Sequence, residues 1–185
     1  MRFFFLFLFT AWIYVTAAVA EEICAGKDNN AALVIIDMQP KFVTRGGNDK
    51  TSRNLSKVDQ IIKEQMVAIE RAKKANIPIV FIEYEGDYGD TNRALKDAVG
   101  NYKDFKVFKK NSDGMFEKDN RHRDDLIAYL QDKQVGTLVI TGANGGACVL
   151  DSIEGALKGN CTVIAYNKAI ADFNFKDFIY PYSVS

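Results

Sequence analysis

The sequence predicts an α/β fold, a three-layer α/β/α sandwich around a mostly parallel sheet of five or six strands. Three observations point there. The short apolar segments ALVII, IVFI, TLVI and TVIA run continuously instead of alternating with polar residues, as strands buried on both faces do. Amphipathic stretches of helical period separate them. Strand and helix patterns that take turns along a chain build a parallel sheet with helices on its faces.

The first twenty residues, MRFFFLFLFTAWIYVTAAVA, stand apart from this pattern. Arg2 precedes a long apolar run, and Ala18-Val19-Ala20 has the small-x-small form of a cleavage site. Residues 1–20 read as a secretory signal peptide, which places the protein outside the cytoplasm, secreted or periplasmic. The alternative is a retained anchor, because the run approaches the ~18 residues of a spanning helix. Residues 21–185 are of a length that fits one domain.

The elements follow in order. ALVIIDMQ is a buried strand that ends at Asp37. In the next segment Leu55, Val58, Ile62, Met66 and Ile69 recur at three- and four-residue spacing, predicting a helix closed by Asn76 and Pro78. IPIVFIEYE is a second strand, followed by a loop around GDYGDTN and a short helix near Leu95 to Val99. FKVFKK predicts a third strand ending at Lys110. RDDLIAYLQDK predicts a helix with Leu126, Ile127 and Leu130 inward. GTLVITG is the fourth strand, and the helix after Cys148 should carry Ile153, Ala156 and Leu157 inward. CTVIAY is the fifth strand, and residues 178–180 read as a short last one.

Composition excludes several functions. Formal net charge is zero and no block of Lys and Arg stands out, so no nucleic-acid partner is expected. After cleavage of the leader nothing calls for a membrane, and homo-oligomerisation is left open. The lone histidine, His122, lies in the charged run EKDNRHRDD and reads as a surface residue. With one histidine, Cys-His and Ser-His-Asp chemistry is not expected, and no ligand spacing suggests a metal or any other cofactor.

Ligands of parallel sheets bind beyond the carboxyl ends of the strands. Asp37, Lys110 and Cys148 all fall at or just past such ends. Cys148 also opens a helix, where backbone N–H groups and the helix dipole favour a thiolate, and a nearby lysine adds to that effect. The small residues of GANGGAC leave room for amides to approach a substrate oxygen. The bland alternatives are a buried structural cysteine, an Asp37 that caps a turn and a solvated Lys110.

Three segments together resemble the isochorismatase-like cysteine hydrolases, which include nicotinamidases, carbamoylsarcosine amidase and isochorismatase. ALVIIDMQPKF is similar to the family's first strand and catalytic aspartate. KNSDGMF is similar to the segment that opens with the catalytic lysine. TLVITGANGGACVLDSIEGALKG is similar to the strand, oxyanion turn and nucleophile helix. The resemblance implies Asp37 as base, Lys110 as stabilising cation and Cys148 as nucleophile. It also implies a cis peptide between Ala143 and Asn144, and an oxyanion hole made by the Asn144 and Cys148 amides. The implied activity is cleavage of a C–N bond in a small-molecule amide or ureide. Vinyl-ether hydrolysis, or a binding protein on a degenerate scaffold, are the alternatives. Nicotinamidases hold a metal through histidines, and His122 alone cannot, so a metal-free site is expected. Phe42, Tyr84, Tyr88 and Phe116 are expected to shape the substrate pocket. Because the nucleophile must stay free, Cys24 and Cys161 are the pair able to form a disulfide in an oxidising compartment.

Overall fold

The structure is a computed structural model, and it describes residues 22–43 and 55–171. The expected leader and the expected strand at 178–180 lie outside the described residues. Five strands form one sheet: β1 (Lys27–Ile36), β2 (Ile79–Tyr84), β3 (Phe105–Lys110), β4 (Val135–Ala143) and β5 (Thr162–Ala171). Their spatial order is β3-β2-β1-β4-β5, and every neighbouring pair is parallel. The helices are α1 (Pro40–Val43), α2 (Leu55–Lys74), α3 (Arg93–Val99), α4 (Arg123–Asp132) and α5 (Cys148–Lys158).

The order reverses direction after β3, since β4 returns to the far side of β1. β1 and β4 therefore meet at the centre of the sheet, with Ile35 opposite Thr141 and Ile36 opposite Gly142. This is the switch point where parallel sheets open a crevice at their carboxyl ends. Gly142 has φ 132°, and a Cβ there would sit 2.2 Å from the Ile36 carbonyl oxygen, so only glycine lets the two strands close up beside Asp37.

Two apolar cores cover the two faces. One joins the sheet to α4 and α5 through Leu126, Ile127, Leu130, Val149, Ile153 and Ala156. The other joins it to α2 and α3 through Val58, Ile61, Ile69, Leu95 and Val99. The stripe of α2 is phased differently from the expectation. Val58, Ile61, Gln65, Ile69 and Ala72 are fully buried, while Ile62 and Met66 are only half-buried. Gln65 is tolerated inside because its Nε2 donates to the Ala169 carbonyl at 3.0 Å. In α5 the inward face is Val149, Ser152, Ile153 and Ala156, whereas Leu157 is 36% exposed. Leu157 lies one residue past Ala156, a rotation of about 100° that takes it off the buried stripe.

Cys24 and Cys161 are joined by a disulfide. The bond secures the segment before β1 to the amino end of β5, and the Ile23 and Cys24 amides both donate to the Gly159 carbonyl beside it.

Candidate active site

Asp37 leaves β1 in a left-handed turn, φ 52°, a conformation aspartate tolerates better than most residues. Its amide donates to the Ile82 carbonyl, which fixes the turn against β2. Lys110 is the last residue of β3. The two side chains meet across the carboxyl end of the sheet, Lys110 Nζ lying 2.9 Å from Asp37 Oδ2, with 0% and 1% exposure. Burial this complete excludes both bland readings, a turn-capping aspartate and a solvated lysine. A buried ion pair costs more desolvation than a surface one returns, so its presence points to use rather than to stability.

Lys110 Nζ directs its hydrogen bonds elsewhere, to the carbonyls of Ser112 at 3.0 Å and Asp113 at 2.8 Å. It faces Asp37 as a charge, and neither Asp37 oxygen receives a well-directed hydrogen bond within the described residues. A buried carboxylate left in that state is ready to take a proton. Desolvation raises the Asp37 pKa to about 6, with Lys110 holding it from rising further. Burial opposes the Lys110 charge, but Asp37 and Cys148 outweigh it and keep the ammonium ionised.

Cys148 is the first residue of α5 and the free cysteine among the described residues, 7% exposed. The peptide between Ala143 and Asn144 is cis, as the resemblance implied. Asn144 then folds the chain under α5, its carbonyl accepting from the Ala147 and Val149 amides on either side of Cys148. Gly146 is exposed, and a Cβ there would meet nothing within 4 Å, so packing does not demand its smallness.

One expectation is corrected. The thiol pKa is raised, not lowered: burial pushes it well up, and the Asp37 charge adds to this more than Lys110 subtracts. At neutral pH the resting pair is a thiol beside a carboxylate, and thiolate forms as the proton leaves for Asp37.

Three of the four expected pocket residues stand together. Phe42 and Tyr88 stack with centroids 4.9 Å apart, and Tyr84 packs on both, 6.4 Å from Phe42 and 5.4 Å from Tyr88. The Lys110 ammonium lies 4.4 Å from the Tyr84 ring centroid, so this aromatic wall borders the ion pair. Phe116 does not join it. Its neighbour Met115 donates from its amide to Ser152 Oγ, and the Asn120 side chain holds the Met115 carbonyl. These bonds turn Phe116 into the core, where Gly155 of α5 leaves a slot for its ring.

Three residues were missed in the sequence. Gln39 is fully buried and bonds both the Tyr84 amide and carbonyl and the Gly89 carbonyl, clamping the aromatic loop to β2. Its place two residues after a strand-end aspartate was the available signal. Asp113 accepts from the Cys148 thiol at 3.7 Å. Glu85 holds His122, which is half-buried in a hydrogen-bond contact with it rather than a free surface residue. Glu85 also donates its amide to the Lys110 carbonyl, so this pair backs the end of β3. Among the described residues no group of three His, Cys, Asp or Glu is placed to hold a metal.

Solved structures share this fold. A nicotinamidase from Staphylococcus aureus superimposes with a TM-score of 0.66 at 15% identity, covering 80% of this chain and 88% of its own. An N-carbamoylsarcosine amidase from Thermoplasma acidophilum gives 0.61 at 20%, covering 77% and 84%. A ribonuclease from Caenorhabditis elegans gives 0.62 at 22%, covering 82% and 69%. At these identities the likeness establishes the fold alone. No curated protein is a significant sequence match to the chain. Residues 31–178 match the family model for the isochorismatase domain, a span that holds Asp37, Lys110 and Cys148. With that span covering most of the sequence, the chain belongs to the isochorismatase-like hydrolase family.

Proposed function

We propose that the protein is a cysteine-dependent hydrolase that cleaves the C–N bond of a small amide or ureide. The observation that carries this reading is the buried Asp37–Lys110 pair at the same strand-end rim as the helix-start thiol of Cys148. No water-exposed acid or imidazole is needed, because the base is built in.

The proposed steps are these. Asp37 takes the thiol proton as Cys148 Sγ attacks the substrate carbonyl carbon. The carbonyl oxygen becomes an oxyanion, and the amides of Asn144 and Cys148 are its donors. Lys110 offsets negative charge as it passes between Cys148 and Asp37. The tetrahedral intermediate collapses, Asp37 hands its proton to the leaving nitrogen, and an amine or ammonia departs from a thioester. Asp37 then deprotonates a water, which attacks the thioester carbonyl. The acid leaves, and Cys148 recovers its proton.

The family resemblance also admits vinyl-ether cleavage, which needs no thiol nucleophile. A free cysteine seated against the acid favours acyl transfer. Export is part of the same proposal. A leader at residues 1–20 and a Cys24–Cys161 disulfide both fit an oxidising compartment. The deciding experiment is a panel of small amides and ureides with ammonia detection, run on the protein and on Cys148→Ala. Ammonia release that needs Cys148 supports the reading. Equal release by both proteins, or none from any amide, refutes it.

A further inference from the structure

The ion pair of the site is internally neutral, and one charge beside the thiol is left over. Asp113 lies in the segment between β3 and α4, and its backbone is fixed from several sides. Its carbonyl accepts from Lys110 Nζ at 2.8 Å. The next amide, of Gly114, donates to Glu117 Oε1, and that of Met115 donates to Ser152 in α5. The carboxylate so placed is exposed, and its Oδ1 accepts from Cys148 Sγ at 3.7 Å. It is thus one contact from the nucleophile and open to solvent. Its field is also felt at Tyr84, on the aromatic wall.

Among the described residues, the other charges around the site do not cancel it. Asp151, in the first turn of α5, is a second acid. Lys41 lies beyond Tyr88, 4.9 Å from that ring's centroid, and is held by Asp87 through its carbonyl and carboxylate. Among the described residues, no cation pairs with the Asp113 carboxylate in an ion pair.

We propose that Asp113 is a specificity-determining residue that selects substrates carrying a positive charge, an ammonium or guanidinium, close to the scissile amide, and rejects anionic ones. The proposal deepens the amidase reading and rests on it for the word substrate. The electrostatic selection itself belongs to Cys148 and Asp113 and is measurable without turnover.

The test uses three methanethiosulfonate reagents that deliver the same sulfur to a thiol, one with a trimethylammonium tail, one with a methyl group and one with a sulfonate tail. Cys148 modification is followed by mass spectrometry under pseudo-first-order conditions. The cationic-to-anionic rate ratio, divided by that of a free thiol in solution, cancels any change in thiol ionisation. We expect a ratio of about ten or more in the wild type, the order a partly screened charge at this range supplies. Asp113→Asn should bring it to about one, Asp113→Glu should keep most of it, and 0.5 M salt should shrink it. A ratio near one in the wild type, or one unchanged in Asp113→Asn, overturns the proposal. A Cys148 that none of the reagents reaches overturns it together with the hydrolase. Charge selection with no amide cleaved sinks only the hydrolase, and cleavage without charge selection sinks only the role of Asp113.

Discussion

Replacing Lys110 by methionine should disable the base by protonating it, not by displacing it. The lysine stands 2.9 Å from Asp37 Oδ2, and both side chains are buried. At an effective dielectric constant of about 20, a unit charge at that distance is worth about 6 kcal/mol. Each pH unit of a titration corresponds to about 1.4 kcal/mol, so losing the lysine moves the Asp37 titration about four pH units upward. Asp37 already titrates near pH 6. The sign is fixed by the ionised carboxylate being the active form. In the wild type, kcat/KM should fall tenfold per pH unit below about pH 6 and stay level between 6 and 8. In Lys110→Met the carboxylate stays protonated throughout that range. Activity at pH 7.5 should drop more than a hundredfold, and kcat/KM should still be climbing tenfold per unit at pH 9. The assay is ammonia release across pH 5 to 9, with circular dichroism confirming that the variant is folded. A flat profile in the variant, or kcat/KM within tenfold of wild type at pH 7.5, refutes the reasoning.

Other outcomes are expected. Cys148→Ala should abolish hydrolysis and Asp37→Asn should lower it by several orders of magnitude, because groups that act as one unit fail singly; near-normal turnover in either would remove the assignment. Chelation should leave activity unchanged, since no three ligands cluster among the described residues; loss that zinc restores would show a metal enzyme. The disulfide spans 137 positions, a closed loop worth about 5 kcal/mol in the chain-entropy model. The Cys24→Ser, Cys161→Ser double variant should melt well below wild type with its activity at low temperature retained, and equal melting temperatures would refute the estimate.

Much of this was legible before any coordinates. Continuous apolar runs located four of the five described strands, because a strand buried on both faces has no reason to alternate, whereas the edge strand β3, FKVFKK, carries no such run. Asp37, Lys110 and Cys148 were recoverable because strand ends are visible as the point where such a run stops. What escaped depended on neighbours distant in sequence. Gln65 looks polar in the sequence and is buried only because Ala169 receives its amide, 104 residues away. Phe116 looks like a pocket aromatic until Gly155 is seen to make room for it in the core. Asp113 sits in a segment with no periodicity, and it gains a role only when α5 brings Cys148 beside it. The thiol pKa was misjudged for a related reason. A helix start is local and readable, whereas the burial that outweighs it comes from the whole fold.

α5 separates two kinds of sulfur chemistry. Cys148 is its first residue, and Cys161 follows three residues after its end. Eleven helical residues make a rod about 16 Å long. Exchange between a thiol and a disulfide requires the attacking sulfur to touch its target. The folded helix keeps the nucleophile out of reach of the Cys24–Cys161 bond, although only thirteen positions divide the two cysteines along the chain. Before α5 forms, nothing comparable holds them apart. In an oxidising environment this helix insulates a reduced sulfur from an oxidised pair, and loosening it would expose the nucleophile to scrambling before it touched the sheet.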